Sequence, residues 1–227
     1  MRCFQRMPFF FTAMNYRLII FDLDGTLDDS RASIMAAMAD MAREMGITQE
    51  QLAQRPVHIG LPMADILREL GIQDIEAARA AYRNHYHTYT HMELAFPGVP
   101  ELLEQLRGKV PLAIATNKAY EGSLRTLGNA GIRDYFDFIA SLDQGLPKPD
   151  PDAFIRICAH YRGQGKEFLP EDCLMVGDSP IDLEFASRCG IDSAFAGWGF
   201  HDGSGLTLQP GFFLKTPHDL LHMLLQI

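Results

Sequence analysis

The chain is poor in cysteine, in basic residues and in long apolar runs, and each scarcity excludes a class of protein. Its 227 residues include four cysteines, at positions 3, 158, 173 and 189, and no two of them form a CxxC pair. This spacing predicts reduced, buried thiols in a cytoplasmic protein rather than a zinc site or a disulfide framework. The net charge of −9, without a basic stripe, argues against a nucleic-acid partner, and no stretch is long enough to span a membrane.

Residues 1–14 differ in character from the rest of the chain. They contain Arg2, Arg6 and the run Phe9-Phe10-Phe11, which superficially resembles a signal peptide. Because the apolar run is short and leads directly into a predicted strand, we expect a flexible N-terminal extension with Met14 as the functional start.

An apolar strand that runs into two carboxylates is the clearest feature of the sequence. Leu18–Phe21 precede Asp22 and Asp24, and Gly25 follows them. Side chains alternate along a strand, so the two aspartates are expected to leave its end on the same side. Close carboxylates repel each other unless a cation or a proton lies between them. The stretch therefore predicts a metal-assisted site at the carboxyl end of a buried parallel strand.

The hydrophobic pattern divides the chain into an α/β part and a helical insertion. Helical patterns dominate from about residue 30 to residue 92, whereas strand patterns at 112–116, 136–140, 173–177 and 192–196 alternate with helices. We predict a Rossmann-like parallel sheet core, formed by residues 15–28 and 95–227, with an all-helical cap domain at residues 29–94.

Polar clusters follow the later strands as well. They are Thr116-Asn117-Lys118, Lys148-Pro149-Asp150 and Gly177-Asp178-Ser179-Pro180-Ile181-Asp182. Because loops at the carboxyl ends of parallel strands meet at one edge of the sheet, we expect these clusters to converge on Asp22 and Asp24.

These stretches resemble the four motifs of the haloacid dehalogenase-like (HAD) hydrolase superfamily: DxDGT, a strand-end Thr or Ser, a Lys, and GDSxxD. They occur in that order between residues 22 and 182, and the helical insertion resembles the superfamily's type C1 cap. The segments FDLDGTL, ATNK, PKPDPDAF and VGDSPIDLEFA resemble its phosphoglycolate phosphatase-like branch. DxD alone is a weak signal, but four ordered motifs with a cap are specific.

The resemblance implies a phosphatase that hydrolyses a small phosphate monoester, phosphoglycolate-like or a sugar phosphate, through an aspartyl-phosphate. It makes Asp22 the nucleophile and Asp24 the group that protonates the leaving alcohol and then deprotonates water. Lys148 supplies positive charge, while Thr116 and the backbone of Asn117 hold phosphate oxygens. Asp24 also argues against dehalogenation, because a halide leaves without a proton.

The resemblance also implies Mg²⁺ as cofactor, and a set of oxygen ligands suits that ion. Asp22, the backbone carbonyl of Asp24 and Asp178 are its expected ligands. Asp182 is expected either to touch metal-bound water or to brace the start of its own helix, since Ser179 to Asp182 also form a capping-box pattern.

Substrate choice is expected to lie in the cap. Arg55, His58 and Gly60 occupy a loop between two predicted cap helices that resembles the superfamily's specificity loop, and the two side chains are expected either to bind the leaving group or to lie on the surface. Lys118 is expected to be solvated or to hold the cap. Asp28 and Asp29 are expected to cap the first helix of the insertion.

Two alternatives to a phosphatase remain open at this stage. A phosphomutase of the β-phosphoglucomutase type uses the same residues, and a non-catalytic binding protein could share the fold. A Schiff-base phosphonatase is excluded because residues 29–94 contain no lysine. The expected partner is a small phosphorylated metabolite, with no nucleic acid or membrane, and the chain is expected to be a monomer or a homodimer.

Overall fold

The computed structural model describes residues 16–55 and 57–225, so the predicted extension at residues 1–14 lies outside the described residues. Within them, six strands form one sheet: β1 (Leu18–Phe21), β2 (Leu112–Ala115), β3 (Phe138–Ala140), β4 (Cys173–Gly177), β5 (Asp192–Ala196) and β6 (Phe212–Leu214). Their order is β3-β2-β1-β4-β5-β6, and neighbouring strands are parallel. The predicted Rossmann-like α/β fold is confirmed.

Strand β1 lies in the middle of the sheet because both of its faces are apolar. Ile19 and Phe21 belong to one buried cluster, and Leu18 and Ile20 belong to a second. Alternation of side chains thus sends successive residues of β1 to opposite faces of the sheet, and helices cover both faces.

In the described part of the chain, nine α-helices accompany the sheet. They are α1 (Arg31–Glu44), α2 (Gln49–Ala53), α3 (Met63–Glu69), α4 (Ile75–Tyr89), α5 (Val99–Leu106), α6 (Tyr120–Asn129), α7 (Asp152–Arg162), α8 (Pro180–Cys189) and α9 (Pro217–Leu225). Across the described residues, no helix combines the length and the apolar character that a membrane crossing requires.

Helices α1–α4, which we call the cap, pack around an apolar cluster of their own. Met38, Met41, Leu67 and Tyr82 are buried in it. The predicted all-helical insertion after the first strand is therefore present. Met38 and Met41 of α1 pack in this cluster, whereas Met35 on the same helix is exposed.

The two chain segments that join the cap to the sheet run beside each other. The backbone N–H of Asp29 donates to the carbonyl of Leu94 at 2.9 Å, and that of Phe96 donates to the carbonyl of Leu27 at 3.0 Å. These bonds lie next to the predicted boundaries of the insertion, so both connections leave the sheet at one place.

The expectation that Asp28 caps α1 is wrong. Ser30 is the N-cap residue of α1, but its side chain accepts no bond from the helix backbone, and its hydroxyl donates to Asp24. Asp28 is buried, and neither of its carboxylate oxygens has a hydrogen-bond partner among the described residues. Burial, with the nearby charge of Asp24 as the next cause, raises the pKa of Asp28 to about 8.

The buried carboxyl of Asp28 predicts a pH-dependent loss of stability. Its pKa is higher in the folded than in the unfolded chain, so its contribution is complete at low pH and is lost as pH rises towards about 8. We expect the free energy of unfolding of Asp28→Asn to rise by roughly 1–3 kcal/mol relative to that of wild type as the pH increases from about 5 to about 8. Urea unfolding at both pH values, without added metal, measures this difference. An equal pH dependence in the two proteins would contradict the assignment, and Asp134→Asn, at an exposed position, is the control.

The sequence pattern does not predict strand β6, which has only three residues and lies at the edge of the sheet. Phe213 stacks on Phe195 of the neighbouring strand, with ring centroids 5.2 Å apart, although its side chain is largely exposed. So short a run carries no alternation that distinguishes a strand from a loop.

Candidate active site

Three buried aspartates converge at the carboxyl edge of the sheet. Asp22 follows β1, Asp178 follows β4, and Asp182 lies in the first turn of α8. One carboxylate oxygen of each lies within 4.8 Å of the corresponding oxygens of the others. Burial raises the pKa of Asp22 well above its usual range, although Lys148 opposes the shift. Such a cluster is stable only with protons or cations beside it.

Lys148 supplies part of the missing positive charge. Its ammonium donates to Oδ1 of Asp22 at 2.7 Å and to Oδ1 of Asp182 at 2.6 Å, and all three side chains are buried. Burial alone would lower the pKa of Lys148, but the carboxylates of Asp182 and Asp22 outweigh it and raise the pKa, so the ammonium stays charged. One cation against three carboxylates leaves the cluster short of positive charge.

Asp178 is held from both sides by the turn after β1 and by the loop after β5. Thr26 donates its hydroxyl to Oδ1 at 3.3 Å, and the backbone N–H of Phe200 donates to Oδ2 at 2.6 Å. Burial and then the charge of Asp182 raise the pKa of Asp178 to about 7. Gly25 has φ of +89°, and a Cβ there would lie 2.5 Å from the Asp178 carboxylate. Only glycine therefore lets the turn approach so closely.

Asp182 accepts bonds from two directions. Its Oδ2 accepts from the backbone N–H of Ser179 at 3.1 Å and from the Ser179 hydroxyl at 2.6 Å, while its Oδ1 faces Lys148. The residue thus braces the start of α8 and also faces the acidic cluster, so the two roles foreseen for it are compatible.

Thr116 and Asn117 follow β2, and Asn117 contacts the loop that carries Lys148. The Asn117 amide accepts from the backbone N–H of Lys148 at 2.8 Å and donates to the Lys148 carbonyl at 3.1 Å. Asn117 therefore holds the loop that carries Lys148, a contribution that a motif of residue types does not reveal. Thr116 is buried, and its hydroxyl accepts from the backbone N–H of Lys118 at 3.1 Å.

Asp24 lies beside the aspartate cluster but has different partners. Its Oδ1 accepts from the Ser30 hydroxyl at 2.6 Å and from the Lys118 ammonium at 2.8 Å. Lys118 also donates to Tyr86 of the cap at 2.8 Å. The expectation that Lys118 is solvated is wrong, whereas the expectation that it holds the cap agrees with this contact.

The cap loop that contains Arg55, His58 and Gly60 contacts the site through its backbone and not through its charged side chains. The carbonyl of Gly60 accepts from the Asn117 amide at 2.9 Å. His58, by contrast, pairs with Glu69 at 2.9 Å and is 58% exposed, and Arg55 reaches the carbonyl of Glu69 at 3.4 Å. The structure brings Gly60 to the site and leaves Arg55 and His58 outside it, because the nearest acceptors of both side chains belong to the cap itself.

Several residues around the site are not foreseen from the sequence. Tyr86 and Glu93 carry no motif, and their participation depends on how α4 lies over the sheet. Trp198, whose indole N–H donates to the carbonyl of Thr26 at 2.9 Å, fastens the loop after β5 to the turn after β1. Tyr82 and Tyr86 lie one turn apart on α4 and their rings stack with centroids 5.3 Å apart, but this spacing does not predict contact with Lys118.

Comparison with known proteins identifies the family. The family described as "Haloacid dehalogenase-like hydrolase" matches residues 19–196, which include all four motifs. A haloacid dehalogenase-like hydrolase of Streptococcus pneumoniae superposes with a TM-score of 0.79 at 26% identity, covering 91% of this chain and 97% of that one. The chain belongs to the haloacid dehalogenase-like hydrolase family.

Curated relatives carry more than one activity in their names. A phosphoglycolate phosphatase of Aquifex aeolicus is 32% identical over 92% of this chain and 96% of its own length. A tyrosine-protein kinase of Mycobacterium tuberculosis is 35% identical over 81% of this chain. The match spans 63% of the kinase, less than two thirds of its length.

Proposed function

We propose that the chain is a Mg²⁺-dependent phosphatase that hydrolyses a small phosphate monoester through an aspartyl-phosphate on Asp22. The observation that carries the proposal is the buried group of Asp22, Asp178 and Asp182, bridged by Lys148 and flanked by Asp24. A nucleophile, a fixed positive charge and a separate carboxyl for proton transfer are the elements that phosphoryl transfer to a carboxylate needs.

The acidic group fits a divalent cation. Its three carboxylates are buried together, one ammonium is near them, and burial raises the pKa of both Asp22 and Asp178. Asp22, Asp178 and the backbone carbonyl of Asp24 would hold Mg²⁺, with Asp182 beside it. When bound, Mg²⁺ supplies positive charge to the phosphoryl oxygens and to the Asp22 carboxylate.

In the first step, an Asp22 oxygen attacks phosphorus while the bond from phosphorus to the ester oxygen breaks. Lys148 holds Oδ1 of Asp22 and balances negative charge in the transition state. Asp24 gives its proton to the departing alkoxide, so the products are the alcohol and the aspartyl-phosphate. The Thr116 hydroxyl and the Asn117 backbone N–H hold phosphate oxygens.

In the second step, Asp24 removes a proton from water, whose oxygen attacks the phosphorus of the aspartyl-phosphate. The phosphorus–oxygen bond to Asp22 breaks, which releases inorganic phosphate and restores both carboxyls. The cap lies over this site through Gly60 and Tyr86 and limits access of bulk water.

The substrate is a small phosphorylated metabolite, and phosphoglycolate or a sugar phosphate is the preferred choice. The name of the Aquifex aeolicus relative supports the first. A phosphomutase is the second candidate function, because it uses the same catalytic residues as a phosphatase. Among the residues that the structure describes, Cys158, Cys173 and Cys189 form no disulfide, which supports a cytoplasmic location.

The test is hydrolysis by the purified chain of p-nitrophenyl phosphate, phosphoglycolate, sugar monophosphates and nucleoside monophosphates, each with Mg²⁺ and with a chelator. We expect release of inorganic phosphate that stops with the chelator and returns with excess Mg²⁺. Isomerised sugar phosphate in place of inorganic phosphate would favour the mutase. Lack of Mg²⁺-dependent turnover of every ester would refute the proposal.

A further inference from the structure

Lys118 lies at the centre of a second polar cluster, separate from the aspartates around Lys148. Its side chain is 13% exposed, and its ammonium donates to Asp24 and to Tyr86 and lies 3.8 Å from Oε1 of Glu93. Burial would lower the pKa of Lys118, but Asp24, Tyr86 and Glu93 together raise it, so the group is a charged donor at a largely buried position.

The contacts of Lys118 make the two oxygens of Asp24 unequal. Lys118 and Ser30 both donate to Oδ1, whereas Oδ2 accepts from no donor among the described residues. The two donors occupy the lone pairs of Oδ1. Oδ2 is therefore the oxygen of Asp24 that is left free to face a bound substrate.

The cap and the core together hold Lys118 in place. Glu93 has a fully buried side chain and accepts from the Tyr86 hydroxyl and, at 3.1 Å, from the hydroxyl of Thr126 on α6. Tyr86 stacks on Tyr82 within α4. Because Tyr86 belongs to the cap and Thr126 to the core, the position of the ammonium depends on how the cap lies over the sheet.

We propose that Lys118 is the positioning residue for Asp24, and that Tyr86 and Glu93 keep it in position through the cap. This inference rests on the proposed phosphatase function and adds to it. Lys118 holds Oδ1 so that Oδ2 faces the leaving group, and the contact with Tyr86 makes that orientation depend on a seated cap. Lys118 acts through Asp24 and does not touch the phosphorus.

The test uses the leaving-group dependence of kcat/KM across substituted phenyl phosphates. An ester with a poor leaving group needs the proton of Asp24, whereas p-nitrophenolate leaves nearly without it. We expect Lys118→Met to lower kcat/KM about tenfold more for phenyl phosphate than for p-nitrophenyl phosphate. This difference is a part of the roughly 10²–10⁴-fold rate enhancement that general acid–base catalysis typically provides. Tyr86→Phe should shift the dependence the same way but less, and Lys109→Met, at an exposed lysine, should not shift it.

A double variant separates positioning from folding. Removal of the Lys118 charge leaves Glu93 buried without its cation, so Lys118→Met could unfold. Lys118→Met/Glu93→Gln keeps the local charge balance, and we expect it to retain the steeper leaving-group dependence. Equal losses on all esters in both variants, or the wild-type dependence, would overturn the role of Lys118. Absence of turnover by wild type on every ester would instead refute the phosphatase function, and this inference with it.

Discussion

Asp22→Asn is expected to lower kcat/KM for p-nitrophenyl phosphate at least about a thousandfold, because an amide cannot form the aspartyl-phosphate. The substitution changes one oxygen to nitrogen at a buried position, so the packing around Asp22 is preserved. Lys148 keeps its bond to Asp182 at 2.6 Å and remains in place. Initial rates at saturating Mg²⁺ measure the loss directly.

Phosphorylation of the chain provides a second readout for Asp22. Wild type mixed rapidly with substrate and quenched in acid should carry one phosphoryl group on the peptide that contains Asp22, and Asp22→Asn should carry none. Asp134→Asn, at an exposed position, is the matched control and should behave as wild type. Retention of full activity, or phosphorylation at another residue, would remove Asp22 from the role of nucleophile.

Lys148→Met is expected to reduce both activity and stability. Asp22, Asp178 and Asp182 would be left buried together without their ammonium, and removing one partner of a buried ion pair costs about 3–5 kcal/mol. The same loss removes the positive charge that faces the phosphoryl group, so we expect kcat/KM to fall at least about a hundredfold. Urea unfolding in the presence of a chelator measures the stability without interference from bound metal.

The pH dependence of this defect has a definite sign. Burial already raises the pKa of Asp22 and of Asp178, and loss of the Lys148 charge raises the pKa of Asp22 further. Because protonated carboxyls tolerate burial, the deficit against wild type should shrink as pH falls and grow as pH rises through neutrality. Lys148→Met/Asp182→Asn, which removes a carboxylate together with the cation, should recover stability but not activity. A deficit that does not change with pH would contradict this account.

Strands, helices and the acidic centre follow from local sequence. The apolar run before Asp22 predicts a buried strand because a central parallel strand needs apolar residues on both faces, and β1 has them. Convergence of Asp178, Asp182 and Lys148 on that strand follows from parallel topology, since the loops at the carboxyl ends of parallel strands share one edge of the sheet.

Side-chain orientation in the cap is harder to predict. Arg55 and His58 lie in the loop that resembles a specificity loop, yet their partners are in Glu69, eleven or more residues away along the chain. Asp28 suits a helix cap by residue type, but the backbone pairing of residues 27–29 with 94–96 buries it instead. In each case a contact between distant parts of the chain outweighs the local preference.

The local sequence therefore determines where Asp22 and Asp24 lie, whereas contacts with residues far along the chain determine their different partners. Strand alternation and a glycine turn place both aspartates at the sheet edge, and residue type together with spacing is sufficient to expect them there. Their partners come from residues 94 and 126 positions further along, with Lys118 on Asp24 and Lys148 on Asp22. Packing of the cap and the order of the strands bring these ammonium groups to their carboxylates, and no property of the segment around residues 22–24 specifies which one each aspartate receives.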